Sequence, residues 1–366
     1  MSGRGVDKLY MKKNRYKTII IGAGVAGANI AYNLSQMGED ILVVSDGNIA
    51  SSAAGAFVSP KIGKSSPLKS LTDRAFEFAR EFYISTFHKY YHQTQMIRLP
   101  KDMADSDKFK IYREANSSKF RDITSKELKE ININSPYSGF IFDDGGVCDS
   151  DICDELLNGI KVVNLEVREI IRVDDLWQVG EYLANNLILA TGYRDNLFDI
   201  AYMGIGATYG CRGDFKSTLN IPISLHKNVS ISKNFDGIIK IGATHKDESI
   251  NSMIEKASHL IDGSKIELIS TYCGNRAGSR DYFPLVGRVV DTQYMLDNYP
   301  NLKKGTKHPL KYIDNLFIIN GLGARGFVLA PLMAKYLSDY MINNIELPKE
   351  INPDRLFFKW CRRLTP

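Results

Sequence analysis

The stretch from Thr18 to Gly38, TIIIGAGVAGANIAYNLSQMG, constrains what this chain can fold into more than any other. Its apolar run, Ile19 to Ile21, reads as a buried parallel strand. Gly22, Gly24 and Gly27 follow at the G-x-G-x-x-G spacing, with Ala26 inside the turn. The pattern then predicts a helix from about Val25 to Met37, stopped by Gly38, and a second strand over Ile41 to Val44. Gly22 permits the tight turn out of the strand. Gly24 admits backbone close to a pyrophosphate. Gly27 lets the helix pack on the strand with its N–H-rich end toward the anion. The competing reading is a βα turn whose glycines serve packing alone. Strand, glycines, helix and second strand within about 30 residues favour a dinucleotide-binding unit. Ser45 ends the second strand and Asp46 follows it. An acidic residue here holds ribose hydroxyls, which makes Asp46 the candidate, beside Ser45; its other reading is a turn residue.

A length of 366 residues suggests roughly two domains. The net charge of +5 is compatible with nucleic acid and equally with an ordinary enzyme. Cys148, Cys153, Cys211, Cys273 and Cys361 include no C-x-x-C pair. Such an odd, scattered set argues against a disulfide framework and for a reducing, cytoplasmic setting. The six histidines are dispersed, so no metal site is expected. Met1 to Lys17 is polar and basic, without an apolar signal core, and no membrane-spanning stretch is expected.

Further along, a small-residue segment runs from Ser51 to Lys64 and suits a chain pressed against a flat cofactor. Pro67 to about Gln93 has a helical pattern, with aromatics on more than one side. Met96 to Leu99 and Phe109 to Arg113 read as strands. Ser125 to Ile131 reads as a helix, with Thr124 and Glu127 placed as a capping box. Gly139 to Phe142 reads as a strand and about Asp149 to Leu157 as a helix. Thr208 to Asp214, Pro222 to Leu225, Val229 to Ser232 and Ile238 to Thr244 form a mostly antiparallel set, with a turn at Phe235-Asp236-Gly237. Ser249 to Leu260 is helical. Two more buried strands end in glycine: Leu187 to Gly192, through Ala190 and Thr191, and Leu316 to Asn320, which leads into Gly321, Gly323, Ala324, Arg325, Gly326 and an apolar helix from about Phe327 to Met341. A unit revisited three times fits a large dinucleotide crossing the sheet, FAD rather than NAD. The expected fold is therefore α/β plus α+β, a Rossmann-like FAD-binding domain with an inserted mixed-sheet substrate domain. Residues 14–64, 138–205 and 270–366 form the first, and residues 65–137 and 206–269 the second.

Four stretches carry a resemblance: Gly55 to Lys64, Ala75 to Tyr83, Asn275 to Gly287 and Gly321 to Pro331. On these the chain resembles the FAD-dependent D-amino-acid oxidase and glycine oxidase family. More narrowly it is similar to the FAD domain of the bifunctional tRNA wobble-uridine modification enzymes. Arg280-Asp281 before Pro284, and Ala324-Arg325-Gly326, mark that subgroup. There are departures. Arg276 is followed by Ala277 where the family often has proline, and Ser45 stands where glutamate is common. No methyltransferase motif is present, so the resemblance implies a stand-alone version whose product a separate methyltransferase takes.

The resemblance implies non-covalent FAD held by the glycine motif with Gly55, Ala56, Val167 and the Gly321 to Phe327 stretch. It implies oxidation of the carboxymethylaminomethyl group of wobble (2-thio)uridine in tRNA. That reaction releases glyoxylate and leaves the 5-aminomethyl nucleoside, with oxygen as electron acceptor. No acid–base triad is needed. A guanidinium suits the substrate carboxylate, and Arg276 is the candidate; its competing reading is an ion pair with Asp281. Arg280 is an alternative. Arg325 and Lys64 are candidates for flavin or substrate contact, and Arg212 for the substrate wall. Lys12 to Lys17 and Arg355 to Arg363 are candidate phosphate contacts. Two rival functions use the same residues: oxidation of free glycine, sarcosine or a D-amino acid, and flavin-dependent binding of RNA or protein without turnover.

Overall fold

Val, Ile and Leu runs with polar ends build the sheet that carries the glycine motif. In the structure, a computed structural model describing residues 14–194, 197–246 and 248–364, the strand Arg15–Ile21 pairs in parallel with Ile41–Ser45 on one side and Tyr182–Leu189 on the other. Lys161–Asn164 extends the sheet beyond Ile41–Ser45, and Tyr312–Asn320 runs parallel to Tyr182–Leu189. The strands Ile171–Val173, Leu176–Val179 and Leu285–Val290 complete it as antiparallel additions. Ile19, Ile20, Leu42, Val43, Val44, Leu187 and Ile188 are fully buried, as expected of parallel strands covered on both faces. Each such side chain contributes about 1.5–3 kcal/mol through burial.

One face is covered by the helices Val25–Gln36 and Gly326–Asn343. The helix Pro67–Thr86 packs outside them and is tied down by the buried Tyr83 hydroxyl, which donates to the Phe327 carbonyl at 3.1 Å. It ends at Thr86, short of the expected Gln93, because Tyr91–Gln93 leaves as a strand against Gly146–Cys148. Its aromatics are buried on two sides as expected, with Phe76 and Tyr83 inside and Phe78 and Phe82 packed against the core.

The second sheet has the order Ile266–Gly278, Gly206–Ser217, Ile238–Gly242, Ser230–Ile231, Ser224–His226, Met96–Arg98, Gly139–Phe142, Phe120–Ile123. The strands from 206 to 242 follow the expected antiparallel set. Its turn has positive φ at Asp236 (50°) and Gly237 (87°). Gly139–Phe142 and Ile266–Gly278 lie in this sheet, whereas the sequence reading assigned 138–205 and 270–366 to the cofactor unit. The stretch Phe109 to Arg113 is not a strand. It lies within the helix Met103–Glu114, whose N-cap Asp102 accepts from the Asp105 amide. Phe109 alone is buried there, and a short apolar run with one buried side chain does not separate strand from helix. The Thr124–Glu127 capping box is present.

The cysteine reading needs correcting. Cys211 and Cys273 form a disulfide, and Cys148, Cys153 and Cys361 are free and buried. Spacing hid the pair, which is 62 residues apart in sequence and is set opposite by the register of Gly206–Ser217 on Ile266–Gly278. Cysteine usage therefore gives no support to a reducing compartment. No helix among the described residues is long and apolar enough to cross a membrane. No group of three or more metal-ligating side chains occurs among them.

Candidate active site

All parallel strands of the first sheet end on one cavity of about 920 Å3. Gly22 and Gly24 follow the first strand, Asp46 the second, Leu165 the edge strand, Ala190 to Gly192 the fourth and Asn320 and Leu322 the fifth. The carboxyl ends of an open α/β sheet are where ligands bind, since strand ends and helix starts present free backbone groups there.

The glycine cradle is tight. A Cβ on Gly27 would stand 1.8 Å from the Gly22 carbonyl oxygen, and one on Gly22, at φ +110°, 2.3 Å from that of Ala190. Side chains are excluded, so backbone lines the entrance to the helix Val25–Gln36. Ser51 Oγ accepts from the Val25 amide at 2.8 Å. Asn320, buried at the end of its strand, donates to the Gly192 carbonyl at 2.8 Å and accepts from the Gly321 amide at 2.8 Å, locking two strand ends together. Asp46 lines the cavity and is ion-paired to Arg194, which holds its carboxyl below the usual range. Ser45 accepts from the Gly47 amide at 3.2 Å.

Of the residues expected at the cofactor, Gly22, Gly24, Ala26, Ser45, Asp46, Gly55, Ala56, Val167, Ala190, Thr191, Gly192, Gly323, Ala324, Arg325, Gly326 and Phe327 line this cavity. Gly27 and Gly321 stand behind it. The first turn of Gly326–Asn343 faces in through Gly326, Phe327 and Val328, bringing the partial positive charge of a helix N-terminus.

The second sheet supplies the opposite wall. Arg276 lines it from the strand Ile266–Gly278, and carbonyls hold its guanidinium: Nη2 donates to Thr244 O at 3.0 Å and to Tyr209 O at 3.4 Å, and Nε to Thr208 O at 3.5 Å. The expected rival pairing with Asp281 does not occur. Asp281 is taken by Arg355, through Nε at 2.9 Å and Nη2 at 2.9 Å. Among the described residues no carboxylate pairs with Arg276, and burial lowers its pKa. A guanidinium held by neutral oxygens keeps its charge for an incoming anion.

Three expectations fail here. Arg212 does not line the cavity. It is 1% exposed, beneath the segment Ala50 to Ala54, where Nη1 donates to the Ala54 carbonyl at 2.6 Å, Nε stands 3.2 Å from Asp214 and the guanidinium lies over the Tyr272 ring. It shapes the wall without forming it. Lys64 is exposed and outside the lining. Lys61 is the half-buried lysine of that segment, its pKa pushed down to about 8, by partial burial first and by Arg325 next. Arg280 is exposed and also outside the lining. Of the basic termini, Lys12 and Lys13 lie outside the described residues, and Arg355 is committed to Asp281.

Sequence reasoning missed Arg98, His226, His245 and Asn320, all of which line the cavity. Arg98 Nη2 donates to Ser59 Oγ at 2.6 Å and to the Pro60 carbonyl at 3.0 Å. His226 Nδ1 lies 2.7 Å from Ser230 Oγ, and burial, with Arg98 and Arg325 nearby, holds its pKa well below the ordinary value. No local motif marks these residues; strand pairing brings them in.

A dinucleotide cradle at the strand ends, facing an arginine that no carboxylate pairs with among the described residues, is the arrangement of a flavin-dependent oxidoreductase. The chain belongs to the family described as DAO, FAD dependent oxidoreductase, matching over residues 17–340, and its cofactor is FAD. Among its relatives is the tRNA 5-methylaminomethyl-2-thiouridine biosynthesis bifunctional protein MnmC of Dichelobacter nodosus. The two are 24% identical over 353 residues, covering 89% of this chain and 54% of that protein. The chain thus spans about half the length of the curated relatives it matches. Its fold is that of glycine oxidase from Geobacillus kaustophilus (TM-score 0.74, 18% identity, 91% of this chain and 96% of that one). Iminodiacetate oxidase from Chelativorans sp. BNC1 is equally similar (TM-score 0.73, 17% identity, 92% and 99%).

Proposed function

We propose that this protein oxidises the carboxymethylaminomethyl side chain of wobble (2-thio)uridine in tRNA, releasing glyoxylate and leaving the 5-aminomethyl nucleoside. The observation that carries the reading is Arg276, a cation held by carbonyls alone on the wall facing the cofactor cradle. Its geometry suits the carboxylate of an N-substituted glycine. Similarity to the MnmC proteins supports tRNA as the carrier of that glycine.

The roles follow from the residues. Arg276 binds the carboxylate through parallel N–H groups and so orients the adjacent CH2 toward the cradle side of the cavity. Bound FAD would supply the acceptor for a hydride from that carbon, leaving an imine on the substrate that water would hydrolyse. The cationic wall of Arg276, Arg98 and Arg325 disfavours the protonated amine, so a neutral amine, the form that gives up hydride, is favoured at the site. Gly22 and Gly24 would hold the pyrophosphate with backbone amides, while Gly27 lets the helix pack close behind them, and Asp46 and Ser45 stand at the ribose position. The Arg276–carboxylate contact needs no titrating base, which fits a cavity whose two lining histidines, His226 and His245, both have lowered pKa values.

The test is anaerobic bleaching of the flavin. Undermodified tRNA carrying 5-carboxymethylaminomethyluridine is expected to reduce it and release glyoxylate. Rapid reduction by free glycine, sarcosine or D-amino acids with none by tRNA would instead assign the site to small amines. A stable flavin that no amine reduces would assign it to binding without turnover.

A further inference from the structure

The cavity's cations extend well beyond Arg276. Across the second sheet, Arg98 is the register partner of His226, and His226 pairs in turn with Ser230, which pairs with Gly242. Arg98, His226, Ser230 and Gly242 all line the cavity, so this row forms its floor. The Arg98 guanidinium is anchored on one side only, to Ser59 and Pro60. Its Nε is buried without a hydrogen-bond partner among the described residues. A buried donor left unpaired is unfavourable, and the guanidinium keeps donors to spare for an acceptor in the cavity.

Charge points the same way. Burial first, and the nearby charge of Arg325 next, push the Arg98 pKa down to about 9. Among the described residues Asp73 is the acid whose charge reaches Arg325, and Asp73 is already bound by buried Lys69 at 2.5 Å. Among the described residues neither Arg98 nor Arg325 has an ion-pair partner. Two guanidinium groups close enough to feel each other's charge, lining one cavity and unmatched by carboxylates among the described residues, suit an anion.

Distance says which class of anion. The strand Met96–Arg98 stands five strand steps from Ile266–Gly278, which carries Arg276. At about 4.8 Å per step that is about 24 Å across a flat sheet, shortened by twist and by two arginines reaching inward. The atoms of glycine or a small amino acid do not bridge such a gap. The Arg276 guanidinium, however, reaches back to the Thr244 carbonyl, just past the strand Ile238–Gly242, which leaves three strand steps, about 14 Å, to Met96–Arg98; a nucleotide, with its base-linked carboxylate at one end and its phosphate at the other, is of that scale.

We propose that Arg98 and Arg325, with His226 beside them, form a second anion subsite that takes a phosphate flanking the modified uridine while Arg276 holds its carboxylate. This rests on the tRNA reading above and deepens it: the substrate is recognised as a nucleotide rather than as an amino acid. Arg98 is then a specificity-determining residue.

The holoenzyme is titrated with 5-carboxymethyluridine and with its 5′- and 3′-monophosphates, following the flavin absorbance. These probes lack the amine, so binding is read without turnover. At least one monophosphate is expected to bind tenfold or more tighter than the nucleoside. In Arg98→Gln the ratio of the two Kd values is expected to fall to about 1, and in Arg98→Lys to lie between. FAD content and the flavin spectrum report folding of each variant. Equal binding of nucleoside and both monophosphates by the unaltered protein, or a phosphate preference that survives Arg98→Gln, would overturn the subsite. If the ratio behaves as expected while modified tRNA fails to bleach the flavin, the subsite stands and the proposed reaction falls. If the tRNA is turned over with no phosphate preference, the reverse holds.

Discussion

Arg276 and Arg212 show how differently two arginines on paired strands are used. Arg276 has carbonyl partners and, among the described residues, no acid, so its charge is available; Arg212 is spent on Ala54 and Asp214. Arg276→Ala is expected to raise KM for the carboxylate-bearing substrate about 10- to 100-fold, the equivalent of roughly 1.5–3 kcal/mol for a charge-assisted contact. Steady-state kinetics check this, and an unchanged KM would remove Arg276 from the carboxylate. Arg212→Met is expected to act on the cofactor instead, weakening FAD retention by loosening the Ala50 to Ala54 segment, with a smaller effect on KM; equilibrium dialysis of FAD separates the two. Arg276 was legible in the sequence because it sits in a continuous stretch with Asp281 and Pro284. Arg98 was not, since its meaning depends on pairing with His226, 128 positions away. Arg212 misled because a strand position beside a glycine does not reveal which residues will cover it.

At the scale of elements, local signals were reliable where local forces decide. The glycine turn, the helix Val25–Gln36, the Thr124 capping box and the Asp236-Gly237 turn all fell where capping and φ preference place them. The strand expected over Phe109 to Arg113 failed because burial of one side chain fits either period. The cradle makes a sharp prediction. Gly27→Ala puts a methyl 1.8 Å from the Gly22 carbonyl, which demands backbone movement at the pyrophosphate position. FAD retention is expected to fall at least tenfold, with a lower thermal midpoint, and full FAD occupancy would contradict the cradle. The disulfide was illegible from spacing because only the register of two long strands sets Cys211 opposite Cys273. Alkylation of the denatured, unreduced protein is expected to label three thiols of five. Cys273→Ser is expected to destabilise by up to about 4 kcal/mol from loop closure, read as a lower urea midpoint.

At the scale of the whole molecule, the C-terminal helix Asp354–Cys361 is fastened to the site-bearing segment by Arg355 on Asp281. Burial alone raises the Asp281 pKa, but the bonds from Arg355 outweigh it and hold the carboxyl below its usual value of 3.8. The folded state therefore binds this proton less readily than the unfolded chain. The contribution is complete above the unfolded value and drains away as pH falls through the lower folded one. Between about pH 5 and pH 3 the urea midpoint is expected to fall more steeply for the unaltered protein than for Asp281→Asn; parallel curves would show the pair contributes nothing. The two-sheet plan was legible because glycine-ended strands recur at Gly192 and Gly321. The limits of the inserted sheet were not, because Gly139–Phe142 and Ile266–Gly278 join it by long-range pairing. The cofactor cradle and the Arg276 wall share one cavity, and we propose that they act together on a nucleotide. Mass spectrometry of tRNA nucleosides after incubation with the purified holoenzyme tests it most directly. Loss of 5-carboxymethylaminomethyl-(2-thio)uridine with matching gain of the 5-aminomethyl nucleoside is the predicted result, and an unchanged nucleoside profile with FAD-loaded protein would contradict it.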